Sequence, residues 1–92
     1  MIVEISKEAS KVLRRAPRHI VSKLLAWVDL VEIEGIDEAR KVPGFRDEQL
    51  KGKLAGKHSI RLSRQWRAIY SIRKETIVFA VIEKVSPHEY KK

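Results

Sequence analysis

From His58 to Ile82 the chain reads H-S-I-R-L-S-R-Q-W-R-A-I-Y-S-I-R-K-E-T-I-V-F-A-V-I. The period of this stretch is two. Ile60 and Leu62 alternate with Ser59, Arg61 and Ser63, which places apolar side chains on one side and polar or basic ones on the other. After Arg64-Gln65 a second strand is expected from Trp66 to Arg73. Trp66, Ala68, Tyr70 and Ile72 share one face of it, and Arg67, Ile69, Ser71 and Arg73 the other. Lys74-Glu75 suits a tight turn. Ile77 to Ile82 is then apolar on both faces, as a central strand requires. Three strands joined by short turns make an antiparallel meander.

Working outward, Met1 to Ser6 alternates around Val3, Glu4 and Ile5 and is a short strand candidate. Ser6 can cap a helix with an apolar stripe of Ala9, Val12, Leu13 and Ala16. Pro17 interrupts that helix and is well placed to begin the next one. In the second helix Ile20, Leu24, Trp27/Val28 and Val31 recur at helical spacing, and Gly35 is its natural stop. The two helices read as an αα-hairpin covering a sheet, with Trp27 in the core. Residues 36 to 56 read as irregular, with a turn signal at Val42-Pro43-Gly44-Phe45 and flexibility at Gly52 and Gly56. The expected fold class is α+β, in the order β-α-α-β-β-β. It is an antiparallel sheet with the N-terminal αα-hairpin packed on one face, in a single domain over 1–92.

Charge is segregated. Gln49 to Lys74 holds Lys51, Lys53, Lys57, Arg61, Arg64, Arg67, Arg73 and Lys74 and no Asp or Glu. The chain has 20 basic and 12 acidic residues, so the remainder is balanced and the formal +8 resides in this stretch. Solubility alone does not demand the exclusion of acids over so many positions; a polyanion partner, nucleic acid above all, does. The chain has no cysteine, which excludes disulfides and thiolate metal sites. No apolar run is long enough to span a bilayer, and the N-terminus lacks the basic and apolar regions of a signal peptide. A cytoplasmic protein without a membrane partner is expected.

Chemistry-bearing residues are few. His88 has the intrinsic acidity for proton transfer near neutrality, and Tyr90 can stack on a base or donate through its hydroxyl. Arg67 and Arg61 lie on strands, and a planar guanidinium can clamp a phosphate through two bonds at once. His19, His58 and His88 are far apart and no carboxylate-rich spacing accompanies them, so no metal or other cofactor is expected. No Walker loop, GxGxxG or hydrolase nucleophile motif occurs. RNA cleavage requires none of these. The ribose 2′-hydroxyl is the nucleophile, and the protein has to align it, take its proton, stabilise the phosphorane and protonate the leaving 5′-oxygen.

Several segments together carry a family resemblance. They are Lys11-Val12-Leu13, Arg40-Lys41-Val42-Pro43-Gly44-Phe45, Leu50-Lys51-Gly52, Ser59-Ile60-Arg61-Leu62-Ser63, Trp66-Arg67-Ala68-Ile69-Tyr70 and His88-Glu89-Tyr90. In their order and spacing the chain resembles the RelE superfamily of type II toxin–antitoxin toxins, particularly its HigB-like branch. The resemblance implies a RelE-like fold and an endoribonuclease, or mRNA interferase, that cuts mRNA in the ribosomal A site and is neutralised by a cognate antitoxin. It further implies that Arg67 contacts the phosphate in the transition state and that Tyr90 stacks on the target base or orients the 2′-hydroxyl. His88 is implied as general base or acid, and Lys51 and Arg61 as substrate contacts, beside Lys53, Lys57 and Arg64 of the basic stretch. Glu89 stands where some relatives have Asp. Glu48 is the nearest candidate for the general-base carboxylate of certain branches.

Two other readings stay open. A ParE-like toxin of the same superfamily poisons DNA gyrase without cutting RNA, and His88 and Tyr90 speak against it. A non-enzymatic nucleic-acid-binding module fits the basic stretch but leaves the His-Glu-Tyr tail without a role.

Overall fold

A computed structural model describes residues 1–74 and 76–82 of the chain. The elements are β1 (Ile2–Ile5), α1 (Lys7–Arg15), α2 (Arg18–Glu34), α3 (Ile36–Arg40), β2 (Glu48–Gln49), β3 (His58–Arg61), β4 (Arg67–Arg73) and β5 (Thr76–Ile82). Single 3₁₀ turns at Pro43–Phe45 and Gly52–Leu54 lie on either side of β2. Among the described residues no helix is long and apolar enough to cross a membrane.

The two main helices begin and end where side-chain chemistry dictates. Ser6 stands at the head of α1 and its Oγ accepts from the Ala9 amide at 3.1 Å. Glu8 in the first turn and Arg14 and Arg15 in the last complement the helix dipole. Pro17 precedes α2, and Gly35 ends it at φ 95°, with its N–H donating to the Val31 carbonyl at 2.8 Å. That backbone conformation favours glycine over any residue with a Cβ.

The strands form one five-stranded sheet in the order β1-β5-β4-β3-β2. The meander β3-β4-β5 is antiparallel, and the β4–β5 connection is the tight turn expected at Lys74, whose φ is 53°. The expected β-α-α-β-β-β order is present, with two additions and one refinement. α3 and β2 lie inside 36–56, which the sequence leaves irregular. β1 joins β5 in parallel, so the sheet is mixed. The hairpins of the meander force antiparallel pairing within β3, β4 and β5, whereas β1, which no hairpin joins to β5, pairs with it in parallel.

One face of the sheet is covered by α2. Ile20, Leu24, Trp27 and Val31 of α2 are fully buried against Ile60, Ala68, Tyr70 and Ile77, with Ala39 of α3 and Phe45 closing the core. The Trp27 and Tyr70 rings lie 5.1 Å apart at a tilt of 44°. The opposite face carries the side chains that alternate with these. By register Glu48 is opposite Ser59, Ser59 opposite Ile69, and Arg61 opposite Arg67.

Candidate nucleic-acid interface

Arg67 opens β4 on the face turned away from α2. Its Nη1 donates to Ser59 Oγ at 2.8 Å and to Glu48 Oε1 at 3.4 Å. Its side chain is only 23% exposed, while that of Glu48 is 60% exposed. A half-buried cation held by a serine on β3 therefore stands beside a solvent-accessible carboxylate on β2. The partner bonds fix the direction of the guanidinium, which is the precondition for bidentate contact with a phosphate.

Arg61, at the end of β3, is directly across from Arg67. Like charges opposite one another on neighbouring strands are unfavourable by themselves. An anion bound between the two guanidiniums would remove that repulsion. Lys51, Lys53 and Lys57 are exposed on the loop from β2 to β3, and Arg64 is exposed in the β3–β4 turn. The loop leaves from the strand that carries Glu48 and returns to the one that carries Ser59. His88 and Tyr90, the other expected site residues, lie outside the described residues, as does Glu89.

Behind this face is a cluster that sequence reasoning missed. Asp47 immediately precedes β2, and its side chain is 5% exposed. Its Oδ1 meets His58 Nδ1 at 3.0 Å, and its Oδ2 accepts from the Tyr70 hydroxyl at 2.6 Å. Arg40, at the end of α3, donates from Nε to the Tyr70 oxygen at 3.2 Å and lies 3.2 Å from His58 Nε2 through Nη2. A guanidinium has only donors, so His58 Nε2 accepts and Nδ1 carries the proton given to Asp47. The His58 and Tyr70 rings stack at 5.2 Å with 15° between planes. The signal for this cluster was the tyrosine. A buried hydroxyl on a helix-covered face requires a polar partner, and Asp47 is an acid at the border of an acid-free stretch.

Burial, then the bond to Asp47, pushes the Tyr70 hydroxyl well above the usual tyrosine pKa. For Arg40, burial disfavours the charge but is outweighed by the Tyr70 bond and the nearby Asp47 and Asp37 carboxylates, which raise its pKa. The Tyr70 shift has a consequence for stability. The neutral phenol is favoured in the folded state, so its contribution is complete below the unfolded tyrosine value of about 10 and is lost as pH rises toward the higher folded value. Between wild type and Tyr70→Phe, the difference in unfolding free energy is expected to shrink by up to about 1.4 kcal/mol per pH unit above about pH 10. Denaturant unfolding of both proteins at pH 8 and pH 11 measures it.

Among the described residues no group of three or more His, Asp or Glu is arranged to hold a metal ion. The face can present fixed positive charge to a phosphodiester, with a carboxylate close enough to take a proton.

Comparisons with known proteins agree with this architecture. The fold matches the crystal structure of YafQ from E. coli strain BL21(DE3) at a TM-score of 0.69 and 17% identity, over 96% of this chain and 94% of that one. It matches the YoeB–YefM toxin–antitoxin heterotetramer from Staphylococcus aureus at 0.68 and 21% identity, over 94% and 97%. The RelBE2 toxin–antitoxin complex of Mycobacterium tuberculosis matches at 0.59 and 23% identity, over 85% and 89%. Comparison with curated protein sequences gave no match. Residues 6–88 match the family model of HigB-like toxins, described as the RelE-like toxin of the type II toxin–antitoxin system HigB. With that match over most of its length, the chain belongs to the HigB-like family of RelE-like toxins from type II toxin–antitoxin systems.

Proposed function

We propose that this toxin is a ribosome-dependent mRNA endoribonuclease. The observation that carries the reading is the Glu48–Arg67–Ser59 arrangement, a directed guanidinium beside an exposed carboxylate on a basic face. The substrate ribose supplies the nucleophile. Its 2′-oxygen forms a bond to phosphorus while Glu48 takes the hydroxyl proton. Arg67, with Arg61 across the ladder, balances the charge that grows on the non-bridging oxygens. The P–O5′ bond then breaks, leaving a 2′,3′-cyclic phosphate and a 5′-oxygen that needs a proton. His88 is the candidate donor and Tyr90 the candidate base-stacking residue, both from the family resemblance.

Lys51, Lys53, Lys57 and Arg64 serve as phosphate contacts along the strand. The ribosome is the second partner, because it can hold the mRNA in the in-line geometry that 2′-oxygen attack requires. Some of the similar solved structures are toxin–antitoxin complexes, and the same basic face suits an acidic antitoxin segment lying over Arg61 and Arg67.

Expression in a bacterial host with mapping of mRNA 5′-ends tests the reading, beside an Arg67→Ala/Tyr90→Ala control. Codon-phased cuts absent from the control support it. Growth arrest with intact mRNA overturns it and directs attention to gyrase. Binding to ribosomes or single-stranded RNA is also expected to weaken steeply with salt. Four phosphate contacts correspond to a slope near about −3 in log affinity against log salt. Titrations between low and physiological salt read that slope, and a flat response removes the basic face from the argument.

A further inference from the structure

The strand that presents Glu48 has little to hold it. β2 is two residues long, and its register with β3 consists of Glu48 opposite Ser59 and Gln49 opposite His58. The residue before Asp47 is Arg46, a non-glycine at φ 45°, in the left-handed region that L side chains seldom occupy. A strained corner thus leads into a minimal strand, yet a proton-accepting carboxylate has to be held to a fraction of an ångström.

The buried cluster lies directly behind. Asp47, His58, Arg40 and Tyr70 close a ring of four hydrogen bonds, Asp47 to His58, His58 to Arg40, Arg40 to Tyr70 and Tyr70 to Asp47. Both carboxylate oxygens of Asp47 are engaged, one by β3 and one by β4. Because side chains alternate across a sheet, three of the four ring residues adjoin one on the substrate face. Asp47 precedes Glu48, His58 precedes Ser59, and Tyr70 follows Ile69, which is opposite Ser59 in register. Ser59 in turn holds Arg67. Movement of Asp47 therefore moves Glu48 by covalent connection, and movement of His58 moves the serine that aims Arg67.

We propose that the Asp47–His58–Tyr70–Arg40 ring is a positioning device that fixes Glu48 and Arg67 relative to one another on the opposite face. The proposal rests on the nuclease reading for its consequence in rate, but its geometric content stands apart from it. The four side chains are positioning residues; none needs to touch RNA.

A double-mutant cycle separates positioning from general support of the fold. Single-turnover cleavage of a synthetic mRNA is measured in a reconstituted translation reaction for wild type, Asp47→Asn, Glu48→Gln and the double variant. Asn preserves shape but cannot accept fully from both His58 and Tyr70. Asp47→Asn is expected to slow cleavage about 10- to 100-fold in the wild-type background, the range seen when supporting partners of a site are lost. A clearly smaller loss is expected when Glu48 is already Gln, because only the placement of Arg67 through His58 and Ser59 then remains to be disturbed. An equal loss in both backgrounds overturns the proposal and leaves the ring a fold element. A second arm needs no cleavage. The Glu48 carboxyl and Arg67 guanidinium resonances, read by NMR in wild type and Asp47→Asn, are expected to shift or broaden. If they are unchanged in a folded Asp47→Asn protein, the proposal falls whatever the rates. If wild type cuts nothing while these resonances respond, the nuclease reading falls and the positioning ring stands.

Discussion

Arg67→Ala is expected to lower codon-phased mRNA cleavage about 10²- to 10³-fold, the effect of removing one preorganised contact to a developing oxyanion. Single-turnover rates in a reconstituted translation reaction measure it. The expectation comes from placement. The guanidinium begins β4, is mostly covered, and is held by Ser59 and Glu48 before any substrate arrives. Little reorganisation remains to be done when charge builds on the phosphorane, and that is what makes a fixed donor more effective than a mobile one. Arg67→Lys keeps the charge but not the planar fork, so it is expected to recover only part of the rate. The melting temperature should change little. Loss of the Ser59 and Glu48 bonds destabilises, but removal of a cation directly opposite Arg61 relieves a like-charge pair. A folded Arg67→Ala protein with wild-type cleavage would remove Arg67 from the reaction.

The fold was legible where periodicity runs long enough to be read. β3 and β4 alternate with a period of two, β5 is a continuous apolar run, and Ile20, Leu24, Trp27 and Val31 of α2 are the ones the structure buries. α3 and β2 were not legible, because five residues make little more than one helical turn and two residues have no period. The parallel pairing of β1 with β5 joins the two ends of the described chain and leaves no mark in four residues.

The site divides along the same line. Arg61 and Arg67 were visible because a strand repeat assigns them a common face. Glu48 was visible only as a neighbouring acid, since its approach to Arg67 spans nineteen positions. The Asp47 ring joins residues 11, 18, 23 and 30 positions apart, and no local pattern connects them. His58 read as an isolated histidine without metal spacing, and Tyr70 as one more aromatic on an apolar face. Only the requirement that a buried phenol find a partner pointed inward. A balanced count of charges outside the basic stretch hid Asp47 and Glu48, the two acids that border it on the N-terminal side.

Glu48→Gln is expected to have the other large effect, about 10²- to 10⁴-fold on the cleavage step, the range for loss of a general base. The substitution is nearly isosteric, and the amide oxygen can still accept from Arg67 Nη1, so the geometry of the face is retained. On the proposed mechanism, what disappears is the capacity to take the 2′-hydroxyl proton. Binding should move the other way. A negative charge next to the phosphate path is removed, so affinity for the ribosome–mRNA complex is expected to hold or tighten while kcat falls. That opposition separates proton transfer from mere disturbance of the site, which would weaken binding and slow cleavage together. Rates at saturating toxin give the first quantity, and the toxin concentration at half-maximal rate gives the second. An undiminished rate would mean that the proton leaves by another route, with His88 the remaining candidate. Glu48 would then be an electrostatic partner that keeps Arg67 extended over Ser59.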